Sequence, residues 1–264
     1  MNGTELPADK KVYFLSDFHL GAPDHELSLQ RERRIVQFLE SIKAEAHSIF
    51  IVGDLFDFWY EYRTVVPKGY VRLLGKLAEL TDAGIAIHFF VGNHDMWMNS
   101  YFQKELKIPV YFQPQCFRFN GKKFLVGHGD GLGPGDHNYK RLKKLFRNPA
   151  AQFLFGILPP FVGVGLANYF SKKSRTSQEP DEKRFLGEDK EWLIIYSKEV
   201  LQKEHYDYFV FGHRHLPIDF QLNENSRYIN LGDWIQYFTY AVYNGNEMQL
   251  LSYGGNAEKI YRNH

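Results

Sequence analysis

Seven side chains spread over most of the chain, Asp17, His19, Asp54, Asn93, His128, His213 and His215, offer only oxygen and imidazole-nitrogen donors. Such a set suits hard or borderline divalent ions such as manganese, iron or zinc. The seven fall in five short segments: Asp17-Phe18-His19, Gly53-Asp54, Gly92-Asn93-His94-Asp95, Gly127-His128-Gly129-Asp130 and Gly212-His213-Arg214-His215. Each follows an apolar run. One Asp-x-His or Gly-His occurs often by chance, whereas five such elements at the ends of predicted strands point jointly to metal chemistry. Asn93 alone would read as a turn residue; its place between Val91-Gly92 and His94-Asp95 makes it a candidate ligand. His25, His47, His88, His137, His205 and His264 belong to no such segment and are expected to be neither ligands nor catalysts.

The elements that must position these residues are read from periodicity. An apolar run at 12–15 is followed by Ile35, Leu39, Ile42 and Ala46 at helical spacing, then by a run at 49–52, a βαβ rhythm. Tyr70, Leu74, Leu77 and Ala78 predict a second helix before a strand at 85–91. Asn120-Gly121 is a hairpin turn between strands at 116–119 and 123–126. Trp192, Ile195, Tyr196 and Val200 predict a late helix, and strands are expected at 208–211, 218–222, 228–231, 239–243 and 248–253. The fold class is therefore α/β, with a layered sheet. Open sheets of this kind bind ligands beyond the carboxyl ends of strands, where these motifs sit. Gly53, Gly92, Gly127 and Gly212 at the strand-to-loop junctions permit close backbone approach.

Composition limits the rest. The 264 residues, 44% hydrophobic and 24% charged, fit one large domain with room for an inserted subdomain. A formal net charge of +1 gives no global pull toward nucleic acid, and no nucleic-acid partner is expected. Cys116 is the single cysteine, which excludes an internal disulfide and suits a reducing compartment. The polar start at 1–10 lacks the apolar stretch of a secretory signal, so a cytoplasmic protein is expected.

The order of the five segments resembles the calcineurin-like metallophosphoesterase superfamily. The resemblance implies a layered β-sandwich flanked by helices. It also implies that Asp17, His19, Asp54 and His215 hold one ion, and Asp54, Asn93, His128 and His213 the other. Asp54 would then bridge two cations ~3.5–4 Å apart, the separation at which paired metals clamp attacking and leaving oxygens and generate hydroxide from water. His94 would stabilise the transition state or protonate the leaving oxygen, with Asp95 as its orienting partner. Asp57 and Asp130 would fix the ligands by accepting imidazole or backbone protons.

Substrate class is sought between His128 and Trp192. No charged residue occurs from 148 to 170, yet Pro159-Pro160 and Gly156, Gly163 and Gly165 disfavour a membrane-spanning helix. Lys140, Arg141, Lys143, Lys144 and Arg147 precede this stretch, and Lys172, Lys173 and Arg175 follow it. The expectation is an inserted helical lid at 131–189 between catalytic segments 1–130 and 190–264. Its apolar face, rimmed by cations, would meet acyl chains at an anionic membrane surface. The alternative is that Leu154, Phe155, Ile157, Leu158, Phe161, Val162, Val164 and Leu166 simply pack on the main domain or a second subunit. The oligomeric state is not encoded in any of these patterns.

Several features resemble one branch of the superfamily, the UDP-2,3-diacylglucosamine pyrophosphatases. They are the 54–59 segment Asp-Leu-Phe-Asp-Phe-Trp, His128-Gly129-Asp130, Asp136 and Tyr139, Leu158-Pro159-Pro160-Phe161 and Leu231-Gly232-Asp233-Trp234. The likeness implies a lipid-nucleotide substrate, manganese, peripheral inner-membrane attachment, and cleavage to UMP and 2,3-diacylglucosamine 1-phosphate. Asn93, Asp136, Tyr139, Lys173 and Arg175 are the candidate substrate contacts. Well-known members carry arginine where this chain has His94. Two other readings stay open here: a metallophosphoesterase for another phosphodiester or phospholipid, and a noncatalytic scaffold.

Overall fold

A computed structural model of the chain describes residues 3–134, 137–176, 184–255 and 257–264, with the side chains at 137–139, 142, 168 and 172–176 outside the described set. The first half runs β1 (Lys11–Leu15), α1 (His25–Ile42), β2 (Ala46–Val52), α2 (Val71–Asp82), β3 (Ala86–Phe90), α3 (Tyr101–Glu105), β4 (Val110–Tyr111), β5 (Gln115–Phe119) and β6 (Lys122–Gly127). Helices α4 (His137–Phe146), α5 (Pro149–Ile157), α6 (Pro160–Thr176) and α7 (Trp192–Leu201) follow. The chain then returns through β7 (Tyr208–Phe211), β8 (Pro217–Asn223), β9 (Ser226–Leu231), β10 (Thr239–Tyr243), β11 (Met248–Ser252) and β12 (Tyr261–Arg262).

Two six-stranded sheets result, ordered β11-β10-β1-β2-β3-β4 and β12-β8-β9-β7-β6-β5. Strands β1 to β4 are parallel in the first sheet, and β6, β7 and β9 are parallel in the second. The sheets stack. Val12, Phe14, Phe50, Val52 and Phe90 meet Phe124, Val126, Val210 and Ile229 between them. The alternate residues Tyr13, Leu15, Ile49, Ile51 and Phe89 face outward onto Ile35, Phe38 and Leu39 of α1 and Leu73 and Leu77 of α2. On the far side, Phe209 and Phe211 receive Leu193 and Ile194 of α7. Strands covered on both faces carry unbroken apolar runs, which is why 12–15, 49–52 and 208–211 are conspicuous in the sequence. The expected helix-flanked β-sandwich is the observed fold.

Local details correct the periodicity. Ala46 opens β2 instead of closing α1, because Lys11 pairs with it in the ladder and its methyl is buried against the helices. Its spacing of four from Ile42 is coincidental. Tyr70 precedes α2 as its cap, in the left-handed region at φ 56°, and its ring packs on Phe56. The short α3, β4 and β12 have too few residues to show a period. The hairpin at Asn120-Gly121 is present, joining antiparallel β5 and β6.

Beyond β6, Asn148 caps α5 by accepting from the Ala150 amide at 2.8 Å, with Pro149 at the first helical position. Leu158 is extended ahead of Pro159, as the following proline ring requires, and separates α5 from α6. Among the described residues no helix is long and apolar enough to cross a membrane. Phe14 is fully buried and stacks on Phe50 and Phe124, with ring centroids 4.8 and 6.1 Å away. Phe14→Ala is expected to cost about 3–5 kcal/mol in urea unfolding; a loss below about 1 kcal/mol would contradict this account of the inter-sheet core.

Candidate metal centre

The loops after β1, β2, β3, β6 and β7 converge at one end of the sandwich. Five of the seven candidate ligands have left-handed backbones: Asp17 (φ 55°), His19 (44°), Asp54 (52°), His213 (66°) and His215 (55°). A residue with a Cβ held there costs on the order of 1–3 kcal/mol, a strain that clusters at functional sites. Backbone bonds hold the loops in place. The amides of Asp17 and His19 donate to the carbonyls of Gly53 and Asp54 at 3.1 and 2.9 Å, joining the first two loops. The buried Arg31 guanidinium donates to the Phe18 and His19 carbonyls at 2.9 and 2.8 Å. Two glycines are required by contact: a Cβ on Gly53 would collide with the His128 ring, and one on Gly92 with the Asp54 carboxylate.

The side chains form two groups that share one carboxylate. Asp17, His19, Asp54 and His215 present ligand atoms within 4.8 Å of one another, as do Asp54, His128 and His213. In the first, His215 Nε2 lies 3.2 Å from both Asp17 Oδ1 and His19 Nε2, and His19 Nε2 lies 3.7 Å from Asp54 Oδ2. In the second, His128 Nε2 is 3.3 Å from Asp54 Oδ2 and 3.2 Å from Asn93 Oδ1. His128 Nδ1 donates to the Val52 carbonyl at 2.8 Å. In the neutral ring that leaves a bare Nε2 facing two more acceptors, which only a cation or an added proton relieves.

Charge leads to the same requirement. Asp17 Oδ1 and Asp54 Oδ2 are buried and accept no hydrogen bond, an arrangement that is costly unless a cation satisfies them. Burial would raise both carboxyls. His215 and His19 beside Asp17, and His128 and His94 beside Asp54, instead hold both well below the usual carboxylate range. Burial would likewise depress His128, but Asp54, Asp17 and Asp130 outweigh it and push its pKa up to about 10. His213 is depressed by burial, then by His128, to about 4 and is neutral at physiological pH, the form that binds metal. The donor set therefore fits two divalent cations.

The surrounding candidates take individual places. His94 donates its amide to Asp54 Oδ1 at 2.8 Å, while its Nδ1 lies 3.0 Å from the Asp57 carbonyl and 3.1 Å from Ser171 Oγ. Burial lowers its pKa to about 4. Asp95 does not orient His94; its carboxylate accepts from the amides of Gly92 at 2.7 Å and Leu55 at 2.8 Å, bracing the two loops against each other. Burial and the Asp54 charge raise its pKa to about 7. The orienting group for His94 is Asp57, whose Oδ1 lies 3.7 Å from the Nδ1 atoms of both His94 and His19. Asp130 forms an ion pair with Lys143 of α4, whose Nζ also donates to the Asp130 carbonyl at 2.9 Å. Asp136 lies outside the described residues, as do the side chains of Tyr139, Lys173 and Arg175.

Two contributors carry no sequence assignment. Ser171 of α6 donates to Asp57 Oδ2 at 2.9 Å, bringing that helix to the edge of the site. Asp233, after β9, lies 3.7 Å from His215 Nδ1 through Oδ2, while its Oδ1 accepts from the amides of Ile235, Gln236 and Tyr237 at 2.7–3.1 Å. Its place after a parallel strand is the signal that would find it. Nothing in the pattern around Ser171 would.

Fold and site together are those of a metal-dependent phosphoesterase, and residues 10–217 match the calcineurin-like phosphoesterase family, to which the chain belongs. It is 42% identical over 256 residues, 92% of this chain and 97% of the relative, to the UDP-2,3-diacylglucosamine hydrolase of Porphyromonas gingivalis. A protein of that name from Haemophilus influenzae is 28% identical, with 85% of this chain and 91% of the relative covered. Among solved structures, a dimetal phosphatase from Danio rerio is similar with a TM-score of 0.46 at 13% identity, covering 96% of this chain and 97% of that one.

Removing the shared carboxylate is the sharpest local test. Asp54→Ala is expected to retain at most one tightly bound manganese by elemental analysis and to lose turnover by about 10³-fold or more; retention of two ions would refute the sharing. Asp233→Asn should weaken manganese binding roughly 10- to 100-fold in calorimetry, and an unchanged isotherm would remove Asp233 from the ligand support.

Proposed function

We propose that this chain hydrolyses the pyrophosphate of UDP-2,3-diacylglucosamine to UMP and 2,3-diacylglucosamine 1-phosphate, a step of lipid A synthesis. The observation that carries the reading is the 42% identity to the Porphyromonas gingivalis hydrolase, across nearly the full length of both chains. The convergent donor set beside an exposed apolar insert supports it. Asp17, His19, Asp54 and His215 would hold one ion, and Asp54, Asn93, His128 and His213 the other, with manganese the ion proposed. When bound, two such ions supply Lewis acidity and make water nucleophilic near neutral pH.

The chain's own groups do the rest. Asp54, ionised and shared, offsets the mutual repulsion of two cations. His94 directs Nδ1 toward the Asp57 carbonyl and leaves Nε2 for the substrate. With Nδ1 protonated, Nε2 is an acceptor, so donation to the leaving oxygen needs a second proton on the ring. The anionic pyrophosphate would favour that proton by raising a pKa that burial has lowered. Arginine, the residue of well-known members of this branch, would offer a permanent cation in its place.

Residues 131–189 would serve as a lid for the acyl chains. One side of α5 rests on the main domain: Phe155 packs against Phe58, Tyr60 and Trp97, and the Tyr60 hydroxyl donates to the Gln152 carbonyl at 2.7 Å. The other side of α5 is open at Phe153, Leu154 and Ile157, and α6 adds exposed Phe161, Val162, Leu166, Tyr169 and Phe170, with Phe161 80% exposed. Packing on the main domain thus accounts for Phe155, while a lipid surface accounts for the rest. Among the described cations that precede the apolar stretch, three have partners in the protein. Lys140 and Arg147 donate to the carbonyls of Gly133 and Phe112, and Lys143 pairs with Asp130. Arg141 and Lys144 remain exposed, placed for anionic lipid. Peripheral attachment at the cytoplasmic face of the inner membrane follows from this reading.

The decisive assay uses purified enzyme with manganese and UDP-2,3-diacylglucosamine in detergent, where release of UMP is expected. Hydrolysis of bis-p-nitrophenyl phosphate without UMP release would retain the phosphoesterase and reject this substrate. Phe153→Asp combined with Phe161→Asp should raise KM for the diacyl substrate roughly tenfold or more, from the lost apolar burial, and reduce binding to anionic vesicles. Turnover of the aryl ester should be unchanged; an equal loss on both substrates would contradict a lipid-facing role.

A further inference from the structure

Arg214 stands between His213 and His215, and its guanidinium is buried, only 3% exposed. Nε donates to Glu191 Oε2 at 3.0 Å, and one terminal nitrogen donates to Glu191 Oε1 at 3.2 Å and to the Arg184 carbonyl at 2.7 Å. Glu191, 1% exposed, also accepts the Leu186 amide at 3.1 Å. Residues 184–191 lead from the insert into α7. A two-point ion pair therefore ties that segment to the loop bearing the last two candidate ligands. Trp192 completes the contact, with its ring 5.8 Å from the Arg214 guanidinium carbon and edge-on to His213 at a centroid distance of 6.4 Å.

The loop needs such a hold. His213 and His215 both lie in the left-handed region, a conformation that persists in residues with a Cβ only where the surroundings over-determine it. On the inner side the His213 amide donates to Asp17 Oδ2 at 3.0 Å, and Asn230 Nδ2 donates to the Gly212 carbonyl at 2.6 Å. Those bonds fix the entry to the loop. The residue between the two histidines is fixed by the ion pair. His213 and His215 belong to different donor groups, joined only through Asp54, so one displacement of this loop would disturb both. A guanidinium so near two cations would also repel them unless a carboxylate neutralised it.

We propose that Arg214 and Glu191 form a positioning pair that sets both cation subsites together and links their geometry to the segment returning from the insert. The inference rests on the two-ion reading of the centre. Neither residue touches substrate in this account; each acts through His213 and His215.

The test is manganese binding, followed by calorimetry and by the electron paramagnetic resonance signal of free ion. Three proteins are compared: unaltered enzyme, Glu191→Gln, and the double variant Arg214→Met with Glu191→Met. Replacing a buried ion pair with apolar residues of similar volume is often neutral for stability, so the double variant should keep its circular dichroism spectrum and melting temperature. Both successive dissociation constants should rise about tenfold or more in each variant, whereas Asn93→Ala should weaken one subsite selectively. Native constants in the folded variants, or a shift confined to one constant, would overturn the proposal. Loss of the native spectrum in both variants would also overturn it, assigning the pair to the fold. Fewer than two ions in the unaltered enzyme would overturn the two-ion reading, and this inference with it.

Discussion

A buried carboxylate oxygen with no hydrogen-bond donor is the constraint around which this molecule is arranged. Asp54 Oδ2 accepts nothing, yet His19 and His128 approach it to within 3.7 and 3.3 Å from opposite groups. Asp17 Oδ1 repeats the situation one strand away. Such atoms destabilise a folded chain unless positive charge compensates them. Here the compensation must be local, because both atoms are shut away from solvent and no side-chain or backbone donor reaches them. The site is thus held ready for cations by a scaffold that would not gather these groups otherwise.

The sandwich supplies that scaffold through layered burial. Aromatic and branched side chains fill both faces of β1, β2 and β7, leaving the chain no freedom to withdraw its loops from the end where they meet. Left-handed residues at five candidate ligand positions, braced by amide bonds between neighbouring loops and by Arg31 and Asp95, turn that rigidity into side-chain direction. Packing energy spread over the core is in this way concentrated as strain and charge at one end. The same division holds for α5, anchored by Phe155 on one side and left apolar and open on the other.

Much of this is legible in the sequence, for a physical reason. Strands buried on both faces announce themselves as apolar runs, and the polar residue that ends each run is where a parallel strand exposes its carboxyl end. Asp17, Asp54, Asn93, His128 and His213 all obey that rule. What escapes it depends on contacts between distant residues. Ser171 reaches Asp57 across 114 positions, and Glu191 finds Arg214 only because the start of α7 lies beside the loop after β7. Asp95 is instructive in the other direction. Adjacency suggests that it serves His94, but its side chain turns back to two loop amides, since a buried carboxylate is best satisfied by backbone donors. Ala46 shows the limit of periodicity, being one helical step from Ile42 and yet the first residue of a strand.

The claim on which everything else depends is that two cations share Asp54. Anomalous diffraction from crystals of the manganese-loaded enzyme tests it most directly. The account predicts two peaks about 3.5–4 Å apart, with the Asp54 carboxylate between them and His213 and His215 on different ions. A single peak, or two peaks with no common ligand, would contradict it.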